Sequence, residues 1–449
     1  MKKTINKYLI ILLGIVITTS CDVLDQEPKD LIASSDAIVD ARSAESALNG
    51  LYHTVQSGDL YGGRFIMSSE MLALNAEAAA FQAYWQELST GNVPTSNAQL
   101  EFYWIAAYNA INAANNIIAS VPEVTELSDA DQDRMLGTAY FFRGLMFFDL
   151  LRQHGEFFDL GSIYGIPLPL EPSNVPKETA RSTVQQSFEQ INLDLEMAID
   201  FLEDSGDKYY VSKGSAQALM ARAALYQKDY ATAISMANLV INNSQYELEE
   251  DYNAIFNVED PSSESILELN FINLTDPNVW GVEMYVTPPE VAVRADLMNF
   301  FNSRGESERG GLFEANGNLY KCTKYGSAAT DDMANTILIR LSEMYMIRAE
   351  ASAMVAGGSL EDARTDINRL RSRAGLADIS SIASEDALIT ILLNERRAEF
   401  AFEGQYWFDL VRLGRMEQVT GRPSYRRVMP IPLREMILTD DVLIQNPEY

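Results

Sequence analysis

Cysteine and histidine are nearly absent, with two of each in 449 residues. If Cys21 is modified as argued below, Cys322 has no thiol to pair with, so no intrachain disulfide staples the fold and stability rests on buried apolar surface. His53 and His154 show no local arrangement with Cys322, which argues against a base-activated thiol nucleophile and leaves Cys322 a minor structural residue. No paired Cys or His spacing suits zinc. The acidic run "ELEEDYNAIFNVED" lacks the Asp-x-Asp-x-Asp-Gly loop that would mark a calcium site. A Walker loop, a dinucleotide fingerprint, a nucleophile elbow and a zinc-protease motif are missing as well, so no metal and no cofactor is expected.

Positive charge is scarce too. Lys and Arg number 34 against 64 Asp and Glu, for a formal net charge of -30. Nucleic-acid binding depends on cations that neutralise phosphates, so a nucleic-acid partner is excluded, while an uncharged ligand meets no electrostatic barrier. Long apolar runs are also lacking. The N-terminus "MKKTINKYLIILLGIVITTSCDVLDQEPKD" carries a basic start and an apolar run from Tyr8 to Ile17. That is about half of the roughly twenty residues a spanning helix needs, so residues 1–20 read as a signal peptide. The cysteine at its end points to lipid attachment at Cys21, and acyl chains contribute about 0.8 kcal/mol per buried CH2 to membrane anchoring.

Hydrophobic residues make up 47% and aromatics 10% of the chain, enough for a large core. From Gln99 onward most of it shows helical period, and strand-like alternation is rare, so residues 21–449 are expected to form one mainly all-α body. "SAQALMARAALYQKDYATAISMANLVINN" places Ala221 on one helix and Ala233, Ala237 and Val240 on the next. "RLSEMYMIRAEASAMVAGGSLEDARTDINRLRSRAG" repeats the spacing with Ala351, then Ala363, Ile367 and Leu370. Small residues at these offsets resemble the tetratricopeptide helix pair, in which two antiparallel helices approach closely and neighbouring pairs stack. Further hairpins are expected around "FYWIAAYNAINAANNIIASV" and "DRMLGTAYFFRGLMFFDLLRQHG". Ser182 or Thr183 should cap the helix that follows them. Trp104 and Trp407, inside periodic apolar helices, are assigned to packing.

Two segments escape this rhythm, at about residues 60–98 and 271–332, where Gly, Pro, Asn and Asp concentrate as in surface loops or short hairpins. Irregular segments on a rigid scaffold commonly carry recognition. Ile391 to Arg415, "ILLNERRAEFAFEGQYWFDLVRLGR", gathers Glu395, Glu399, Glu403, Arg396, Asp409 and Arg412. Leu388, Ile391, Leu392, Glu395, Glu399 and Phe402 recur at three- and four-residue steps, placing two carboxylates on the apolar stripe of a helix. Buried carboxylates persist only when paired. Glu395 and Glu399 are therefore expected to be structural, with Arg396 or Arg412 as partners.

The same stretch resembles the most recognisable motif of the SusD/RagB family of surface lipoproteins. "CDVLDQEP" is similar to the family's lipidated start, and "AYFFRGLMFFDLLRQHGEF" with "YGIPLPLEP" to a hairpin and its exit. "EEDYNAIFNVEDPSSESILELNF" is similar to a connector and "MPIPLREMILTDDVLIQNPEY" to the ending, all in family order. The resemblance implies a tetratricopeptide-type scaffold with an irregular binding portion. It also implies a non-catalytic, lipid-anchored protein of the outer-membrane surface that passes oligosaccharide, or less often peptide, to a TonB-dependent barrel.

Two other functions stand beside that one: a glycoside hydrolase using two carboxylates, and a purely structural scaffold or adhesin. Hydrolases hold their carboxyl groups about 5 Å or about 6.5–9.5 Å apart in a cleft. Glu395 and Glu399 look packed into a helix interface instead. For a sugar, whose apolar faces and hydroxyl rim call for aromatic platforms bordered by donors, the expected ligand residues are Arg64, Phe81, Tyr84, Trp85, Trp280 and Tyr285. Phe81, Tyr84 and Trp85 would share a face if helical, and Trp280 and Tyr285 would sit in a proline-bounded loop.

Overall fold

The computed structural model describes residues 38–174, 179–256, 260–271, 278–326, 334–440 and 442–449. The leader and Cys21 lie outside them. Numbered in chain order, the helices that matter begin with α1 (Ala41–Gln56), α2 (Arg64–Leu72), α3 (Ala83–Thr90), α4 (Ala98–Ser120) and α5 (Asp129–His154). They continue with α6 (Val184–Phe201), α7 (Lys213–Tyr226), α8 (Tyr230–Ile241), α9 (Ala295–Arg304) and α10 (Leu341–Met354). The last are α11 (Leu360–Arg373), α12 (Glu385–Glu399), α13 (Tyr406–Arg412) and α14 (Leu433–Leu438).

Helix starts follow the expected chemistry. Thr183, rather than Ser182, caps α6: its side chain accepts from the Gln186 backbone N–H while the Gln186 side chain accepts from that of Thr183. Ser212 caps α7 through Ser215 in the same way. Each cap satisfies donors that a helix start leaves orphaned, worth typically about 1 kcal/mol.

The helices stack in sequence: α1 on α4, then α5, α6, α7, α8, α10 and α11, each packed on the one before. Both alanine-rich pairs form as expected. Ala221, Ala233, Ala237 and Val240 are buried in the main core, whereas in the second pair Ala349 rather than Ala351 packs with Ala363, Ile367 and Leu370, and Ala351 turns to the main core. A methyl group is all the space between such close helices allows, so a larger side chain would force the pair apart. Trp104 and Trp407 are buried in the core, as their helical period predicts.

Two insertions interrupt the stack without breaking it. Residues 57–97 intervene between α1 and α4, and residues 242–340 between α8 and α10, yet both helix pairs remain packed. The insertions meet in a four-stranded antiparallel sheet of order β1-β3-β5-β4. Strand β1 (Ala76–Ala78) comes from the first insertion and pairs with β3 (Val291–Val293) from the second, Ala76 opposite Val293. The hairpin of β4 (Phe313–Asn316) and β5 (Leu319–Cys322) completes it. Its two-residue turn needs a left-handed residue, supplied by Gly317 at φ 64°. Strands β2 (Ser265–Leu269) and β6 (Thr336–Arg340) pair antiparallel and tie the second insertion to the scaffold. The irregular segments expected from composition are thus one small module, joined by a strand ladder that neither segment shows alone.

Candidate functional site

The carboxylates of the Ile391–Arg415 stretch close on the interior. Glu395 on α12 accepts from Arg304 at 2.7 Å, from Arg309 at 3.1 Å and from Arg371. Glu399 accepts from Arg340 at 2.7 Å, from Arg309 at 3.1 Å and from Arg373. Glu403 takes Lys324 at 2.7 Å and Arg340 at 2.8 Å, and Glu264 takes Arg340 at 2.8 Å. Burial alone would raise the carboxyls of Glu395, Glu399 and Glu403; for Glu399, Arg373, Arg340 and Arg309 reverse that and hold it well below the usual carboxylate range. Glu395 and Glu403 are lowered for the same reason.

The expected burial is there, but the expected partners are not. Arg396 pairs with Asp409 at 2.6 Å, and Arg412 with Asp409 at 2.9 Å and with Glu350. Pairing within one motif is replaced by pairing across the fold, because α12 presents Glu395 and Glu399 to the second insertion and to α11 rather than to α13. All four oxygens of Glu395 and Glu399 accept from guanidinium groups and both side chains are buried, so neither carboxylate is presented to solvent as the paired carboxyls of a hydrolase cleft are.

Glu70, on α2, is a contrast. It is fully buried, accepts from the Gly404 backbone at 3.0 Å and from Asn75 at 2.7 Å, and has no cation among these partners. Burial pushes its carboxyl up to about 7.

The open counterpart lies where the insertions join. Gly62 O accepts from Val279 N at 2.8 Å, bringing the start of α2 beside the turn Gly281–Tyr285. There Arg64 donates to Asp59 at 2.9 Å and to Glu283 at 2.9 Å. The other Glu283 oxygen accepts from Trp85 Nε1 at 3.0 Å. Partial burial acts against the Arg64 cation, but the bonds to Asp59 and Glu283 outweigh it and keep the guanidinium firmly charged. Desolvation and the Glu283 carboxylate raise the half-buried Tyr84 phenol beside it.

Of the six ligand residues expected from sequence, Arg64 and Tyr84 belong to this surface, Phe81 is exposed nearby in the chain without a contact to it, and three are turned inward. Arg64 is half-buried and reachable, Tyr84 is partly exposed, and Phe81 is fully exposed. Phe81 precedes α3 rather than sharing its face, since the helix starts after Gln82. Trp85 points inward to Glu283 and is buried. Trp280 is sealed in a stack on Tyr325 with ring centres 4.1 Å apart, and Tyr285 donates to the Cys322 carbonyl at 2.7 Å. In these positions the three rings offer no face to a sugar; they fix the floor of the module. Asp59 and Glu283 were not singled out by sequence reasoning, since a lone acidic residue in an acidic protein carries no signal until its arginine partner is placed.

Next to Asp59 a cleft of about 310 Å³ opens between the end of α1 and the outer face of α4. His53, Thr54, Ser57 and Asp59 border it on one side, and Phe102 and Asn109 on the other. Phe102 is 46% exposed, an available aromatic edge. Among the described residues, no cluster of His, Cys, Asp and Glu is arranged to hold a metal, and no helix is long and apolar enough to cross a membrane.

A stack of helix pairs carrying an inserted, charge-pinned module defines the class of helical-repeat scaffold to which the fold belongs. The chain belongs to the SusD-like family: the SusD family model matches residues 302–431, and a model described as "Starch-binding associating with outer membrane" matches residues 22–227. It is similar to SusD-like protein P2 of Formosa agariphila, 22% identical with 100% of each chain covered. A SusD superfamily structure from Bacteroides thetaiotaomicron superposes with a TM-score of 0.80 at 26% identity, covering 91% of this chain and 100% of that one. A laminarin-binding SusD-like protein superposes with a TM-score of 0.75 at 22% identity, covering 92% of this chain and 100% of the other.

Proposed function

We propose that this protein is a non-catalytic, cell-surface glycan-binding protein that delivers an oligosaccharide to a TonB-dependent outer-membrane transporter. The observation that carries the binding step is the Asp59–Arg64–Glu283 clasp beside Tyr84 and the α1–α4 cleft. The Arg64 guanidinium, held from below by the buried Glu283, and the Asp59 carboxylate rim an accessible surface with partly exposed aromatic rings, the combination that hydroxyls and apolar sugar faces require. The names of the similar proteins, starch-binding and laminarin-binding, point to the same ligand class. The non-catalytic reading is supported by the motif's carboxylates being consumed by arginines. Anchoring through a lipidated Cys21 would hold the site at the membrane surface, and a peptide ligand is the alternative cargo.

Calorimetric titration of starch and laminarin oligosaccharides, with chromatography of the recovered sugar, tests this. Binding without cleavage is expected. Arg64→Ala and Tyr84→Ala should each lose about 1–3 kcal/mol of binding with unchanged helical content. Shortened sugar products, or wild-type affinity in both variants, would refute the proposal.

A further inference from the structure

A second cleft, of about 340 Å³, lies on the other side of α4 from the first. Its walls are α4, the strand-like strap around Pro167–Ser173, and α14 with Thr439 and Leu443. The two clefts share Ile105 and Asn109, one helical turn apart on the outer ridge of α4.

We infer that the two clefts are halves of one groove that takes an extended, uncharged saccharide chain laid across Ile105 and Asn109. This rests on the glycan-binding reading above. Each cleft alone stands at the lower edge of the about 300–1,000 Å³ of small-molecule sites. A ligand occupying both must pass over the Ile105–Asn109 ridge that they share, so the groove selects a chain over a single sugar.

The asparagines of α4 divide the labour. Asn112 donates to Ser173 O at 3.0 Å and accepts from Ser173 N at 2.9 Å. Asn115 donates to Pro169 O at 3.0 Å and accepts from Arg143 at 2.8 Å. Tyr108 donates to Pro167 O at 3.0 Å. These bonds hold the strap against the helix as a fixed wall. Asn109 is exposed, and its amide makes no hydrogen bond among the described residues, so on the crest between the clefts it retains both donor and acceptor for a passing hydroxyl pair. Phe102 stands at the edge of the first cleft, and Trp104, its ring centre 5.0 Å from that of His154, forms the buried floor of the second. Asp59, paired with Arg64, borders one end, and Glu171 with the Arg434–Glu435 pair borders the other, so the rim carries no excess positive charge, and the net charge of -30 disfavours an acidic polysaccharide.

The experiment is titration of the full-length mature protein with maltooligosaccharides and laminarioligosaccharides, each from disaccharide to octasaccharide, beside Asn109→Ala, Asn109→Trp and Arg64→Ala. Affinity of the wild type should rise with chain length for the preferred series. Asn109→Ala should weaken long chains about two- to tenfold and leave the disaccharide unchanged. Asn109→Trp, which obstructs the crest from an exposed position, should abolish the gain with length. A length dependence that survives Asn109→Trp while Arg64→Ala weakens binding overturns the groove alone. Failure of the wild type to bind either series overturns the glycan reading and the groove with it.

Discussion

Glu399 and Glu283 are both carboxylates held by arginine, and they behave as opposites. Glu399 meets Arg309, Arg340 and Arg373 in an interior where none of the four side chains is more than 5% exposed. Glu283 meets Arg64, whose side chain remains 28% exposed, and shares its second oxygen with Trp85. The sealed set welds the second insertion to α11 and α12. The open set leaves a guanidinium edge toward solvent, able to trade water for a ligand hydroxyl at little cost. Enclosure, rather than residue type, separates structural ion pairs from recognition ones: desolvation makes the first expensive to break and the second cheap to use.

The most severe way to break that contrast is Glu399→Ala. It strands three buried guanidinium contacts, and the expected loss is about 3–5 kcal/mol of folding stability, read from denaturant unfolding. Near-wild-type stability would mean that the interior set is as replaceable as the surface one.

A second way is acidity, and the buried carboxylates give opposite signs. Glu395, Glu399 and Glu403 titrate below their unfolded values, so the stability they contribute is present above about pH 4.3 and is lost as pH falls further. Glu70, raised to about 7, contributes stability that is complete below about pH 4.3 and lost as pH rises through 7. The free energy of unfolding should therefore drop steeply on acidification below about pH 4, and fall by at most a few kcal/mol from about pH 5 to 7.5. A stability that climbs through that upper window would contradict the Glu70 environment.

The smallest effect sharpens the open side. Phe81→Ala, at a fully exposed position, should change stability by no more than about 0.5 kcal/mol, whereas Trp85→Ala should cost about 3–5 kcal/mol. Equal effects on melting would erase the distinction between platform and floor.

Much of the scaffold was legible because its signals are local. The repeated offset from Ala221 to Ala233 and from Ala351 to Ala363 marks both helix pairs, and the pair Ser182 and Thr183 marks a helix start, with Thr183 as the cap in the structure. The burial of Glu395 and Glu399 followed from their place on an apolar stripe. Their partners did not, because Arg304, Arg309 and Arg371 reach them from other parts of the chain and no spacing encodes such a pairing. Strands of three residues, such as β1 and β3, are too short to show a period. The inward turn of Trp85 and Trp280 was hidden for the same reason: composition identifies an irregular segment without telling which of its rings faces solvent.

The pairing of β1 with β3 constrains how such a protein can acquire a new preference. Because loop-closure entropy grows only slowly with length, the helix stack tolerates inserts of different size between α1 and α4 or between α8 and α10. Exchanging one insert with a relative, however, would leave Ala76–Ala78 facing a foreign edge, with unpaired backbone groups and a template for aggregation. Recombination should succeed when both inserts travel together, so that residues far apart in the gene are inherited as a single unit of specificity.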